Sequence, residues 1–158
     1  MRLSGRIRRT AVAVIVVAAT AVGGAACARA PGGPQGELSK VAADSASALA
    51  STQIGLTAWE HRRIRRSQLT VLVDDMVGQA VTAYGAAATL KVESHDDAQL
   101  RDAVMVDLGT ACEVLVGFKQ IVGSAPEGQH VPASALSRIL DRLRHVADDP
   151  ASATAGKG

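Results

Sequence analysis

The sequence predicts an all-α fold, an antiparallel up-down bundle of about four helices over residues 37–149. Three observations carry this expectation. From Glu37 onward apolar residues recur every three or four positions, and strand-like alternation is absent over any useful length. Strings of cap-forming or chain-breaking residues divide that pattern into segments of ordinary helix length. Aromatic residues make up only 2% of the chain, with one Phe, one Tyr and one Trp, so the core consists mostly of Val, Leu and Ala. A domain of roughly 110 residues joined by short connections buries enough surface to fold unaided.

The first helix places Leu38, Val41, Ala42, Ser45, Leu49, Thr52, Leu56 and Trp59 on one face and runs to about His61. The second carries Leu69, Leu72, Val73, Met76, Ala80, Tyr84, Ala87 and Leu90. Between them lies Glu60-His61-Arg62-Arg63-Ile64-Arg65-Arg66-Ser67, which contains neither Gly nor Pro. One long continuous helix is therefore an alternative. A turn near Arg62 to Arg66 is preferred, because Ser67 can cap a new helix and a fold-back lets both apolar faces meet.

Ser94 opens the third helix, its hydroxyl placed to accept from the Asp97 amide, with Asp96 and Asp97 at the positive helix end. That helix carries Leu100, Val104, Leu108, Ala111, Leu115, Phe118 and Val122 on one stripe, widened by Met105, Val106, Val114, Val116 and Ile121. So wide an apolar surface predicts the most buried helix of the four. Gly123 to Gly128 ends it, and Pro132 suits the first turn of a fourth helix whose inner face is Leu136, Ile139, Leu140, Leu143 and Val146. Pro150 stops that helix, and residues 150–158 form a small, polar tail expected to be disordered.

Catalytic and metal-binding signatures are missing. The one Glu-x-x-His string, Glu127 to His130, lies in the Gly/Pro-rich loop, whereas a diiron bundle needs it on a helix facing another. His61, His95, His130 and His145 fall near helix ends or in loops. The pairs Asp74-Asp75, Asp96-Asp97 and Asp148-Asp149 are adjacent in sequence, so on a helix their side chains point about 100° apart and make no acid/base pair by spacing. No catalytic residue, metal site or cofactor is expected. The feature able to bind something is Arg62, Arg63, Arg65 and Arg66 beside Trp59 and His61, four guanidinium groups suited to phosphates or carboxylates. The competing reading is a solvated hinge whose arginines pair with Glu60, Asp74 or Asp75.

The N-terminus supplies an address. Arg2, Arg6, Arg8 and Arg9 precede an uncharged run from Thr10, and Gly24-Ala25-Ala26-Cys27 closes it. The basic start, short apolar segment and small residues before a cut are the parts of a signal peptide over residues 1–26. The uncharged run is shorter than the roughly 20 residues a membrane-spanning helix wants, though an uncleaved transmembrane anchor is an alternative. Gly24-Ala25-Ala26-Cys27 resembles a lipobox, the bacterial motif whose cysteine is joined to diacylglycerol and becomes the new N-terminus. Gly24 departs from the aliphatic residue usual three positions before the cysteine, and a secretory signal cut after Ala26 is the alternative. The resemblance implies a lipid on Cys27, a membrane partner and a place on the outer face of the cell membrane. Residues 27–36, rich in Gly and Pro, form a tether whose ten residues reach about 30 Å.

Removing that address changes the charge. The chain holds 17 Lys plus Arg and 15 Asp plus Glu; residues 1–26 contain four arginines and no acid, leaving 13 against 15. A domain near minus two presents no electrostatic case for nucleic acid. Over the whole chain arginine outnumbers lysine thirteen to four, and with abundant Ala, Val and Gly the composition resembles that of actinobacterial proteins. Cys112, left without a partner if Cys27 is lipidated, reads as a small hydrophobe within an apolar helix. If helix 1 rises from the tether, its far end lies about 35 to 40 Å away, and the arginine cluster faces a partner protein of the envelope or an anionic wall polymer. The expectation is an exported, membrane-tethered helical module, not an enzyme. The alternative is an extracytoplasmic small-ligand or metal-binding bundle, a sensor or carrier, for which Thr52, Thr82, Thr110 and Cys112 are the few candidate polar groups between helices.

Overall fold

A computed structural model describes residues 32–155. The signal, the lipobox-like string with Cys27, the tether up to residue 31, and residues 156–158 lie outside the described residues. The chain forms α1 (Pro34–Glu60), α2 (Arg66–Thr89), α3 (His95–Ser124), α4 (Ser134–Asp148) and a helical turn, α5 (Ser152–Ala155). No strand occurs among the described residues. The first four helices pack as a four-helix bundle: α2 against α3, α1 against α4, α1 against α2 and α3 against α4. Across the diagonals α1 touches α3, but α2 does not reach α4. The buried face of α1 includes the small residues Ala42, Ser45 and Ala46, and small contact residues permit close helix approach.

Helix α1 starts at Pro34, so residues 34–36 of the expected tether belong to the helix. A proline in the first turn loses no hydrogen bond and arrives with φ preset, while Gly33, at φ 78°, turns the chain into it. The break after Glu60 rules out one continuous helix through residues 37–90. Arg62 donates its amide to Trp59 O (2.8 Å) and Arg63 to Ala58 O (2.7 Å), the paired bonds of a Schellman end. The left-handed position in that motif normally falls to glycine, and here Arg62 occupies it at φ 56°. Because the turn uses residues 61–63, the cap expected at Ser67 moves to Arg65, whose amide donates to Gln68 Oε1 (2.9 Å). Ser67 lies inside the first turn.

Ser94 caps α3 as expected, its Oγ accepting from the Asp97 amide at 3.0 Å. The expected burial of α3 requires correction. Val106, Val116 and Ile121 are 68%, 42% and 40% exposed, because a helix at one corner of a bundle has an outer face whatever residues occupy it. Tyr84, expected on the inner stripe of α2, is also exposed. Pro132 precedes α4 and is not in its first turn. The side chain of Val131 is buried and its amide donates to Glu60 Oε1 (3.0 Å), which fixes that segment outside a helix. Beyond Pro150, where disorder was expected, Ser152–Ala155 turns once more, with Asp149 Oδ1 accepting from the Ser152 amide (3.2 Å) and Ala153 packed on the core.

Candidate functional site

The arginine cluster lies at the bundle end where α1 passes into α2 and the α3–α4 loop returns. The structure divides its members between two tasks. Trp59 is fully buried and belongs to the core, with its indole N–H lacking a hydrogen-bond partner. Arg66 turns inward to the end of α3, where its two terminal nitrogens donate to Ala125 O (2.6 Å) and Gly123 O (3.4 Å). A guanidinium at these carbonyls satisfies acceptors that the helix leaves open and meets the negative end of its dipole. Arg66 is therefore structural.

Arg62, Arg63 and Arg65 remain exposed, and none makes an ion pair among the described residues. Of the acids expected to neutralise them, Glu60 and Asp74 are engaged elsewhere, and Asp75 makes no ion pair among the described residues. Glu60 Oε1 meets His130 Nδ1 (2.9 Å) as well as the Val131 amide, and Asp74 pairs with Lys119 (2.7 Å). The Arg62 stem lies over Gly128, where an added Cβ would sit 2.8 Å from Arg62 Nε. Gly128, at φ 81°, thus permits both the loop's turn and the close passage of Arg62.

From Arg63 a groove of about 430 Å³ runs down between α1 and α4. Ala50, Ile54 and Ala58 give it an apolar lining, with His61 and Arg63 at its upper end. Gln53 opposes Ser137 and Ser39 opposes Ala147, which sets α1 and α4 antiparallel and places Arg144 at the lower end. No acidic side chain lines this groove. Between those charged ends its polar side chains are already engaged: Thr57 donates to Gln53 O (3.0 Å), and Gln53 Nε2 to Ser137 Oγ of α4 (2.8 Å), which itself donates to Ala133 O (3.2 Å). Ile54 is 71% exposed. The surface thus offers apolar contact bounded by positive charge.

The remaining candidates do not converge. The Thr52, Thr82 and Thr110 hydroxyls each donate to the carbonyl four residues earlier in their own helix. Cys112 is half-buried against the core, and burial, its leading influence, raises its thiol above the ordinary range. His95 meets Gln99 and His145 meets Ser152. Among the described residues no group of three or more His, Cys, Asp or Glu is arranged to hold a metal. A second groove, of about 690 Å³ between α1 and α2, is lined in part by Asp44, Asp74 and Asp75. No helix among the described residues is long and apolar enough to cross a membrane.

No protein family matches this chain, nor does any curated protein or solved structure compared with it. The residues and their geometry carry the functional reading.

Two features escaped the sequence reading. Asp107 on α3 is buried and accepts from Arg142 of α4 at Nε (2.7 Å) and Nη2 (2.6 Å). Its position on the inner stripe of α3, between Val104 and Leu108, was the available signal. The exposed Ile54 lies two residues from both Thr52 and Leu56, on the side of α1 opposite the face drawn for it, and nothing in the spacing alone gave it significance.

Proposed function

We propose that this chain is an exported lipoprotein, held at the outer face of the cell membrane through Cys27, whose helical bundle acts by contact with envelope components and performs no catalysis. The observation that carries the address is the N-terminal sequence: four arginines, an uncharged run, then small residues ending at Cys27. The contact role rests on the exposed, unpaired cations Arg62, Arg63 and Arg65 at the end of α1 remote from the tether. Arg62 lends this weight, because an arginine held in a left-handed conformation stands where glycine would be less strained.

The test is the mass and membrane partitioning of the processed protein from an actinobacterial host, for wild type and Cys27→Ala. Wild type is expected to carry the diacylglycerol mass and to sediment with membranes, and the alanine variant to lose both. Release of wild type without lipid refutes the anchor and frees Cys27 as a thiol.

A further inference from the structure

We propose that the groove between α1 and α4 is a docking site for an acidic amphipathic helix of a partner protein. The inference deepens the reading of the bundle as a contact module and rests on that reading. Its length fits: the eleven residues of α1 from Ala50 to Glu60 make about 16 Å or three helical turns. Its chemistry fits at both ends, with His61 and Arg63 above, Arg144 below and no acid in the lining. The acids nearest in sequence do not quench it. Glu60 is held by His130 and Val131, while Asp141 and Asp148 flank Arg144 within α4 without an ion pair to it. Arg62 and Arg65 extend the positive end beyond the groove.

The apolar lining decides between kinds of anion. Ile54 is 71% exposed, and covering it is favourable for an occupant that brings apolar side chains of its own. A phosphate-rich polymer brings charge alone, and a planar bilayer does not enter a concavity. A neutral sugar would need free polar groups along the groove, whereas between its cationic ends Gln53 and Thr57 are bonded to Ser137 or to backbone. A second copy of this chain places its acids Asp44, Asp74 and Asp75 around another groove, and two concave surfaces do not interlock. A helix with carboxylates at both ends and apolar residues at i, i+3, i+4 and i+7 between them satisfies every feature.

The experiment uses isotope-labelled full chain carrying Cys27→Ala in zwitterionic micelles, so that it does not depend on lipidation. The probe is a peptide of about 14 residues, helical and leucine-faced, with glutamates in its first and last turns. Amide shifts confined to residues 50–63 and the neighbourhood of Arg144 are expected. Binding should weaken about tenfold in Arg63→Glu/Arg144→Glu and in Ile54→Asp, all surface changes that leave the thermal transition in place. Absence of shifts, shifts elsewhere, equal binding of a lysine-ended peptide, or undiminished binding by the variants overturns the proposal. So does a response of the same residues to polyglycerol phosphate or anionic vesicles that Ile54→Asp leaves intact, since that assigns the groove to a polyanion. Concentration-dependent self-association removed by Arg63→Glu assigns it to a second copy and overturns it likewise. Failure here leaves the Cys27 anchor, tested by mass, untouched.

Discussion

Arg142→Met should destabilise the bundle far more than an ordinary surface substitution, although half of the Arg142 side chain lies in water. Its partner is the reason. The Asp107 side chain is only 12% exposed, and its two contacts, from Arg142 Nε and Nη2, come from this one guanidinium. Methionine keeps much of the stem that packs along α4 but leaves a carboxylate in the α3–α4 interface with nothing to bond. Breaking a fully buried pair from one side costs about 3 to 5 kcal/mol. Water at the exposed side of Arg142 reaches part of this pair, which brings the expected cost below that range, to about 2 kcal/mol. For a domain of this size that corresponds to a fall in Tm of about 6 to 10 °C. The double variant Asp107→Leu/Arg142→Met removes the uncompensated charge and should come within about 1 kcal/mol of wild type. Urea denaturation followed by circular dichroism, with a double-mutant cycle over the four proteins, reads both numbers. A cost for Arg142→Met below about 0.5 kcal/mol, or a double variant as unstable as the sum of the singles, would refute this account of how α3 is held to α4.

Three other changes test separate parts of the fold. Arg62→Gly should be more stable than Arg62→Ala by about 1 kcal/mol in thermal unfolding, because both lose the guanidinium and only alanine keeps the left-handed strain. Gly55, buried in α1 against Leu72 Cδ2 and Leu69 Cδ1, should lose stability on change to Ala, since overpacking at about 1 to 3 kcal/mol exceeds the helix-propensity gain of about 1 kcal/mol. In a Leu72→Ala background the sign should reverse, and a penalty that persists there would place its origin elsewhere. In Cys27→Ala protein, Cys112 should react with iodoacetamide more slowly than an unfolded thiol at pH 8 and match it in urea, because burial raises its folded value. The raised value also sets a sign: the folded state should lose stability as pH climbs past the unfolded thiol's ordinary value, and a flat profile for wild type relative to Cys112→Ala would contradict it.

The fold was legible where one physical signal dominated. Period-3.6 spacing located the inner stripes of all four helices, and the cap at Ser94 sits where a hydroxyl three residues before an amide allows it. Legibility failed where tertiary geometry chose among equally apolar residues. Val106 and Val122 look alike in sequence, yet one is 68% exposed and the other buried, because only a stripe about a third of the circumference wide faces the bundle axis. Backbone chemistry hid the rest. No rule of composition places an arginine at the left-handed position of a helix end, so the break at Arg62 was expected but its form was not. The candidate site was half legible for the same reason. Arg62, Arg63 and Arg65 stayed on the surface, whereas Trp59 and Arg66 were drawn into the core and the end of α3 by groups distant in sequence.

Position along α1 constrains what the proposed contact module can meet. From Cys27 to Pro34 the chain can span at most about 25 Å, and the sixteen residues from Pro34 to Ala50 add about 24 Å of rigid helix. With Cys27 at the bilayer and α1 upright, the groove therefore begins within about 50 Å of the membrane surface and ends about 16 Å farther out, at the turn carrying the free arginines. The tether can be short because α1 itself supplies much of the reach. Helix α1 touches α2, α3 and α4 alike, so the groove lies on a helix braced from three sides. A contact surface on a braced helix loses little entropy when a partner orders it. Lengthening the tether would then leave affinity for the acidic helix unchanged in solution while lowering occupancy by a membrane-held partner, through the fall in effective concentration with linker length. Equal occupancy at every tether length would mean that the anchor does not position the groove.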